Sequence, residues 1–173
     1  MKSGTLLVLG GARSGKSAYA EQVVAESGLE RLYLATARVG DAEMEARIAH
    51  HLARRGSAWR MQEEPEALES ALAEHASAAR AILVDCLTLW LSNLLIAGAD
   101  LTGRTERLCR TLRTLPGLAV LVSNEVGMGL VPDNRLGRDF RDAQGRLNQA
   151  VAATADKVAF VAAGLPLYLK GAP

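Results

Sequence analysis

The residues of this chain that could do chemistry lie in two short stretches, GGARSGKS at residues 10–17 and EARIAHHLARR at 45–55. The first fits the pattern GxxxxGKS, with Gly10, Gly15, Lys16 and Ser17 at its fixed positions. A loop of this composition (Gly10, Gly11, Ala12, Arg13, Ser14, Gly15) turns successive backbone N–H groups toward one point. The partial positive charge of the helix that follows adds to them, so together they hold the β-phosphate of a nucleotide. Lys16 reaches the β- and γ-phosphates as the catalytic cation. Ser17 offers its hydroxyl to Mg²⁺, which keeps phosphate oxygens and water in its other positions because it dehydrates reluctantly. Such a loop wants an acidic partner at the end of a neighbouring apolar strand, and AILVD supplies Asp85. The plainer alternative is that Asp85 caps the helix that starts at residue 87.

In the second stretch, Met44, Ile48 and Leu52 recur every four residues and form the apolar stripe of a helix over 41–55. At 100° per residue His51 falls beside that stripe, while His50 lies on another face with Glu43, Arg47 and Arg54. Arg47 and Arg54, one turn to either side, could grip an α-phosphate while a neutral His50 attacks it. Spacing alone leaves two readings open, and the plainer one, a solvated charged face, is the commoner arrangement.

The elements that must position these residues follow from periodicity. Apolar runs at 5–9, 31–36, 81–85, 118–123 and 157–162 read as strands, and helical patterns lie between them at 16–27, 41–55, 65–79, 87–97, 101–115 and 138–155. Gly28, Gly98 and Gly117 fall where helices should stop. Alternation of this kind predicts an α/β fold, a mostly parallel phosphate-loop (RecA-like) sheet with helices on both faces. The tail GLPLYLKG reads as a turn into a short antiparallel edge strand, since Pro166 is unsuited to a central one. Asn124 and Glu125 end an inner strand beside the crevice where such sheets bind ligands, which places them near substrate, although a polar turn would look the same.

At 173 residues the expectation is a single nucleotide-binding domain over 1–173. Nearly half the residues are hydrophobic and no signal or transit segment is visible, which predicts a cytoplasmic protein without membrane insertion. A net charge of +1 from well-mixed residues offers no basic face for nucleic acid, which speaks against a recombinase-like motor. Switch GTPases are excluded too, because neither an Asn-Lys-x-Asp stretch nor an Asp-x-x-Gly switch follows the Asp85 strand. Cys86 and Cys109 match no disulfide or metal spacing and read as reduced structural thiols. His75 reads as a solvated helix residue, Trp59 and Trp90 as packing, and Arg135, Arg138, Arg141, Asp139 and Asp142 mostly as salt-bridged surface. Small-molecule phosphoryl transfer remains.

Further stretches carry a resemblance: YLATA at 33–37, EMEARIAHH at 43–51, WRMQEEP at 59–65 and SNEVGMGLVPDNRLGRDFRDAQGRLNQ at 123–149. With the phosphate loop they make the chain, over nearly its whole length, resemble the bifunctional adenosylcobinamide kinase/adenosylcobinamide-phosphate guanylyltransferases of cobalamin biosynthesis. A phosphate loop alone is widely shared, whereas NEVGMGLVP followed by RDAQGRLNQ is specific to that family. The resemblance implies that a nucleoside triphosphate, ATP or GTP, phosphorylates the aminopropanol hydroxyl of adenosylcobinamide. GTP then gives GMP to an enzyme histidine, and adenosylcobinamide phosphate takes it to form adenosylcobinamide-GDP. The guanylylated histidine matches His50. Ala35, Thr36 and Ala37, the stretch His51, Leu52, Ala53 and Arg54, Glu63 and Asp85 would line the GTP site, with Asp85 standing where relatives carry Glu. A homo-oligomer, a trimer with the histidine helix near a subunit boundary, is implied as well. The rival functions are a small-molecule kinase without a covalent intermediate and a regulatory switch without chemistry.

Overall fold

The computed structural model describes residues 1–37 and 58–172. The Val-, Leu- and Ile-rich runs become strands because β-branched and apolar side chains suit a pleated surface buried on both faces. They are β1 (Gly4–Gly10), β2 (Glu30–Ala35), β3 (Trp59–Glu63), β4 (Arg80–Asp85), β5 (Leu118–Asn124), β6 (Lys157–Ala162) and β7 (Leu165–Lys170). The helices are α1 (Lys16–Glu26), α2 (Leu68–His75), α3 (Leu87–Ile96), α4 (Leu101–Leu112) and α5 (Arg135–Thr154). One seven-stranded sheet runs in the order β3-β2-β4-β5-β1-β6-β7. Every pairing is parallel except β6 with β7, so the expected antiparallel C-terminal edge is present and Pro166 lies on it.

The two faces bury separate cores. On one, α1 sends Ala20 and Val24 against Leu6, Val8, Leu83 and Val120. On the other, Leu68, Leu72, Trp90, Leu108, Leu147 and Val151 from α2, α3, α4 and α5 cover Leu7, Leu34, Val84 and Leu121. Trp90 is fully buried and its indole N–H donates to the Glu66 carbonyl at 2.8 Å, so its role is packing, as expected. Trp59 packs edge-on to Tyr33, with ring centroids 6.4 Å apart. Cys86 and Cys109 are buried free thiols.

Three expectations need correction. Residues 59–63 form a strand that the apolar-run reading passed over: Arg60 and Gln62 interrupt the pattern because β3 is an edge strand. Helix α2 spans eight residues, shorter than 65–79, since the Glu64 carboxylate caps the Ala67 N–H at 2.6 Å and a Ser77–Arg80 turn ends the segment. His75 is half-buried and not solvated, its side chain 18% exposed. The expected helix over 41–55 lies outside the described residues. Among the described residues no helix is long and apolar enough to cross a membrane.

Candidate functional site

The six parallel strands all end on the same edge of the sheet, and the phosphate loop leaves β1 there. Its glycines are used differently. Gly15 has φ +94°, a left-handed conformation that needs glycine, and it starts α1 by accepting the Tyr19 N–H at 3.0 Å. Gly10 is packed so closely that an added Cβ would lie 2.5 Å from both Ser14 Oγ and the Val161 carbonyl, whereas Gly11 faces open space. Lys16 Nζ donates to the Gly11 carbonyl at 3.0 Å, which folds its ammonium back over the loop. The Ser14 hydroxyl is buried and finds no hydrogen-bond partner among the described residues. A hydroxyl so placed inside a phosphate cradle is a donor awaiting an acceptor.

The loop is braced from outside by residues the sequence did not single out. The turn between β6 and β7, with Ala163 and Gly164 both at positive φ, lies against it: Gly164 N–H donates to the Ser14 carbonyl at 2.8 Å. One helical turn along α1, the Tyr19 and Tyr168 hydroxyls are 2.6 Å apart, tying α1 to β7. Burial first, then this bond, push the Tyr19 phenol above its ordinary pKa.

Register aligns the other candidates along the same edge. Ala35 pairs with Glu63 on one side and with Asp85 on the other, and Gly10 pairs with Asn124. Asp85 does not cap α3, whose N-cap is Cys86 with no side-chain cap bond; its carboxylate instead accepts the Tyr33 hydroxyl at 3.1 Å. Of the two readings of Asp85, the capping one is therefore not realised. Ala35, Thr36 and Ala37 are buried. The Thr36 hydroxyl is spent internally, donating to the Cys86 carbonyl at 2.7 Å and accepting the Cys86 N–H at 2.8 Å. Burial, and after it the Asp85 carboxylate, push the Cys86 thiol up to about 11, which leaves it protonated and inert at neutral pH.

Asn124 and Glu125 are held by a polar cluster that adds new residues to the site. Thr88 Oγ1 accepts the Asn124 N–H at 2.8 Å, Asn148 Nδ2 donates to the Asn124 carbonyl at 3.1 Å, and the Glu125 N–H donates to the Gly10 carbonyl at 3.1 Å. Behind them Ser123, Gln144 and Asn148 form a buried triangle with sides of 2.7, 2.9 and 2.9 Å. The end of β5 is thus fixed to the phosphate loop on one side and to α5 on the other. The Glu125 carboxylate also accepts the Gly127 N–H at 2.6 Å, so the polar-turn reading of this residue holds locally. On α5, Arg135 pairs with Asp139 at 3.5 Å and Arg138 donates to the Pro132 and Asp133 carbonyls, which makes both of them surface as expected.

The structure therefore gathers Gly10, Gly11, Ala12, Arg13, Ser14, Gly15, Lys16, Ser17, Ala35, Thr36, Ala37, Glu63, Asp85, Asn124 and Glu125 along one edge of the sheet. Arg47, His50, His51, Leu52, Ala53 and Arg54 lie outside the described residues.

Among solved structures the chain is similar to a prototypical ATPase from the type III secretion system of pathogenic bacteria. The TM-score is 0.59 at 12% identity, with 95% of this chain covering 56% of that one. It is also similar to the flagellar accessory protein FlaH of Methanocaldococcus jannaschii, with a TM-score of 0.54, 11% identity, and coverage of 96% and 78%. At such identities the likeness concerns the fold alone. Sequence relatives are closer. The bifunctional adenosylcobalamin biosynthesis protein CobP of Pseudomonas aeruginosa is 53% identical over 169 residues, covering 96% of this chain and 98% of its own. The corresponding CobU of Salmonella typhimurium is 39% identical over 180 residues, covering 95% and 99%. Residues 6–169 match the family model described as cobinamide kinase / cobinamide phosphate guanyltransferase. With the match spanning phosphate loop, Asp85 strand and C-terminal hairpin, the chain belongs to the cobinamide kinase / cobinamide phosphate guanyltransferase family.

Proposed function

We propose that this chain is a single-domain enzyme that phosphorylates adenosylcobinamide and then transfers GMP from GTP to the product. The observation that carries this reading is the family match over residues 6–169, whose most chemically defined part is the braced phosphate loop. In the first reaction the acceptor hydroxyl attacks the γ-phosphorus of a nucleoside triphosphate and the diphosphate leaves, while Lys16 and the loop N–H groups neutralise the charge that develops. In the second, His50 attacks the α-phosphorus of GTP, pyrophosphate leaves, and an acceptor phosphate oxygen then displaces the imidazole to give adenosylcobinamide-GDP. The Ser17 hydroxyl and Asp85 carboxylate are hard oxygen donors on the loop helix and on the same strand edge, a set that suits Mg²⁺. When bound, Mg²⁺ would neutralise phosphate charge there.

The protein is a homo-oligomer in this reading, a trimer. Leu165, Leu167 and Leu169 support it, alternating along β7 at 73%, 63% and 60% exposure as an apolar stripe that a second chain could cover.

The test is incubation with Mg²⁺ and GTP labelled at the α-phosphate, then denaturation. The expected result is a protein-bound label, lost in acid and stable in alkali, that disappears in His50→Ala and persists in His51→Ala. His50→Ala should still phosphorylate cobinamide, because that transfer needs no protein nucleophile. Lys16→Ala should lose both activities, since one triphosphate cradle serves both. An unlabelled wild-type protein that still transfers GMP would leave a kinase or transferase without a covalent step.

A further inference from the structure

A groove of about 380 Å³ opens between the loop that follows β5 and one flank of α5. It is lined by Gly127, Arg141, Asp142, Gly145, Arg146 and Gln149. Arg141, Gly145 and Gln149 recur every four residues, so they form one ridge of the helix, and an added Cβ at Gly145 would meet nothing within 4 Å. Two fixed points hold the groove against the nucleotide cradle. Asn148, on the adjoining turn of α5, is bonded to the Asn124 carbonyl, and the Glu125 N–H is bonded to the first glycine of the phosphate loop. Gly127, at the mouth, is tied to the Glu125 carboxylate.

Charge and polarity set what would fit. Arg141 faces Asp142 only at 3.8 Å, and Arg146 makes no ion pair among the described residues. Two guanidinium groups face the Asp142 carboxylate inside the groove and the Glu125 carboxylate held at its mouth, and they give it planar donors for a phosphate. In the same loop, Met128, Leu130 and Val131 stand 81%, 96% and 65% exposed. An anion site with an apolar lip matches a large molecule that carries one phosphate and presents an apolar edge.

We propose that this groove and lip seat the acceptor, the phosphorylated corrinoid, with its phosphate monoester on Arg141 and Arg146 and its macrocycle against Met128, Leu130 and Val131. The assignment rests on the two-reaction reading above and adds to it the place of the second substrate. It explains why the loop after β5 is bonded to both the cradle and α5: the bond between acceptor and nucleotide forms only if the two sites keep one spacing.

The experiment is steady-state kinetics of Arg141→Ala, Arg146→Ala and Leu130→Ser, with cobinamide and cobinamide phosphate as separate acceptors and the GTP-derived label as a third readout. The arginine variants should raise KM for cobinamide phosphate about tenfold or more, the scale of a lost charge-assisted hydrogen bond. They should leave KM for unphosphorylated cobinamide and for GTP within about twofold. Leu130→Ser should raise KM for both acceptors. Label formation should proceed in all three variants, since it precedes acceptor binding. An unchanged acceptor KM with normal labelling overturns the groove and leaves the two-reaction reading intact. A variant whose mass by light scattering drops to one chain identifies the lip as a subunit contact and also overturns it. Absence of label from the wild-type protein removes the parent reading itself.

Discussion

Gly10 and Gly11 are neighbours of one type in one motif, yet the structure asks different things of them. A methyl group at residue 10 would drive into the Ser14 hydroxyl and the Val161 carbonyl, both at 2.5 Å, and the backbone carbonyl cannot swing aside. Gly10→Ala should therefore lift the loop off β6, costing roughly 1–3 kcal/mol as overpacking does and weakening nucleotide binding. Gly11→Ala, with nothing within 4 Å, should leave the melting temperature near that of the parent. Calorimetry of the two variants checks the contrast, and equal melting temperatures would show that the loop is not packed against β6. The motif made Gly10 legible as a fixed position. Its contact with residue 161 was not legible, because the two meet only through the pairing of β1 with β6. The cluster of Ser123 with Gln144 and Asn148 is hidden for the same reason: the latter two are four residues apart on α5, but Ser123 lies on β5, 21 and 25 residues from them, and no local spacing joins it to the pair.

Element boundaries were readable where a glycine or a cap fixes them. Gly28, Gly98 and Gly117 adopt φ of +72°, +66° and +82°, the left-handed conformation that ends a helix or turns into a strand and that other residues avoid. The spacing predicts the start of helix α5 at residue 138, whereas the helix begins at Arg135. The overlooked signal was Asn134, whose side chain accepts the Gly137 N–H at 2.7 Å. Asn134→Ala should cost about 1 kcal/mol and fray the first turn, seen as faster amide hydrogen exchange at residues 136–138 with the rest of α5 unaffected. Protection unchanged at those amides would mean that the Arg138 bonds to the Pro132 and Asp133 carbonyls hold the turn by themselves. Strand β3 was missed for a different reason. An edge strand buries one face only, so Trp59 and Met61 alternate with Arg60 and Gln62 in place of an apolar run.

Across the whole molecule, periodicity predicts that strands alternate with helices, and finds six of the seven strands, but not their order, which is a matter of pairings between distant segments. The order places β7 at the far edge with Leu165, Leu167 and Leu169 exposed, and that stripe offers a subunit contact for the homo-oligomer the family resemblance implies. Leu167→Arg should reduce the mass measured by light scattering to that of one chain, with kinase activity retained; an unchanged assembly would move the subunit contact elsewhere. The brace on the phosphate loop has a temporal side as well. Ser14 leaves the ribosome well before Gly164, which donates to its carbonyl and follows 150 residues later, and β1 completes both its pairings only after β5 and β6 have emerged. At about 5–20 residues per second the cradle waits on the order of ten seconds or more for its last contact. A nascent chain stalled before the hairpin turn should thus carry the entire GxxxxGKS motif and still fail to hold a nucleotide, gaining that capacity in one step as the turn closes.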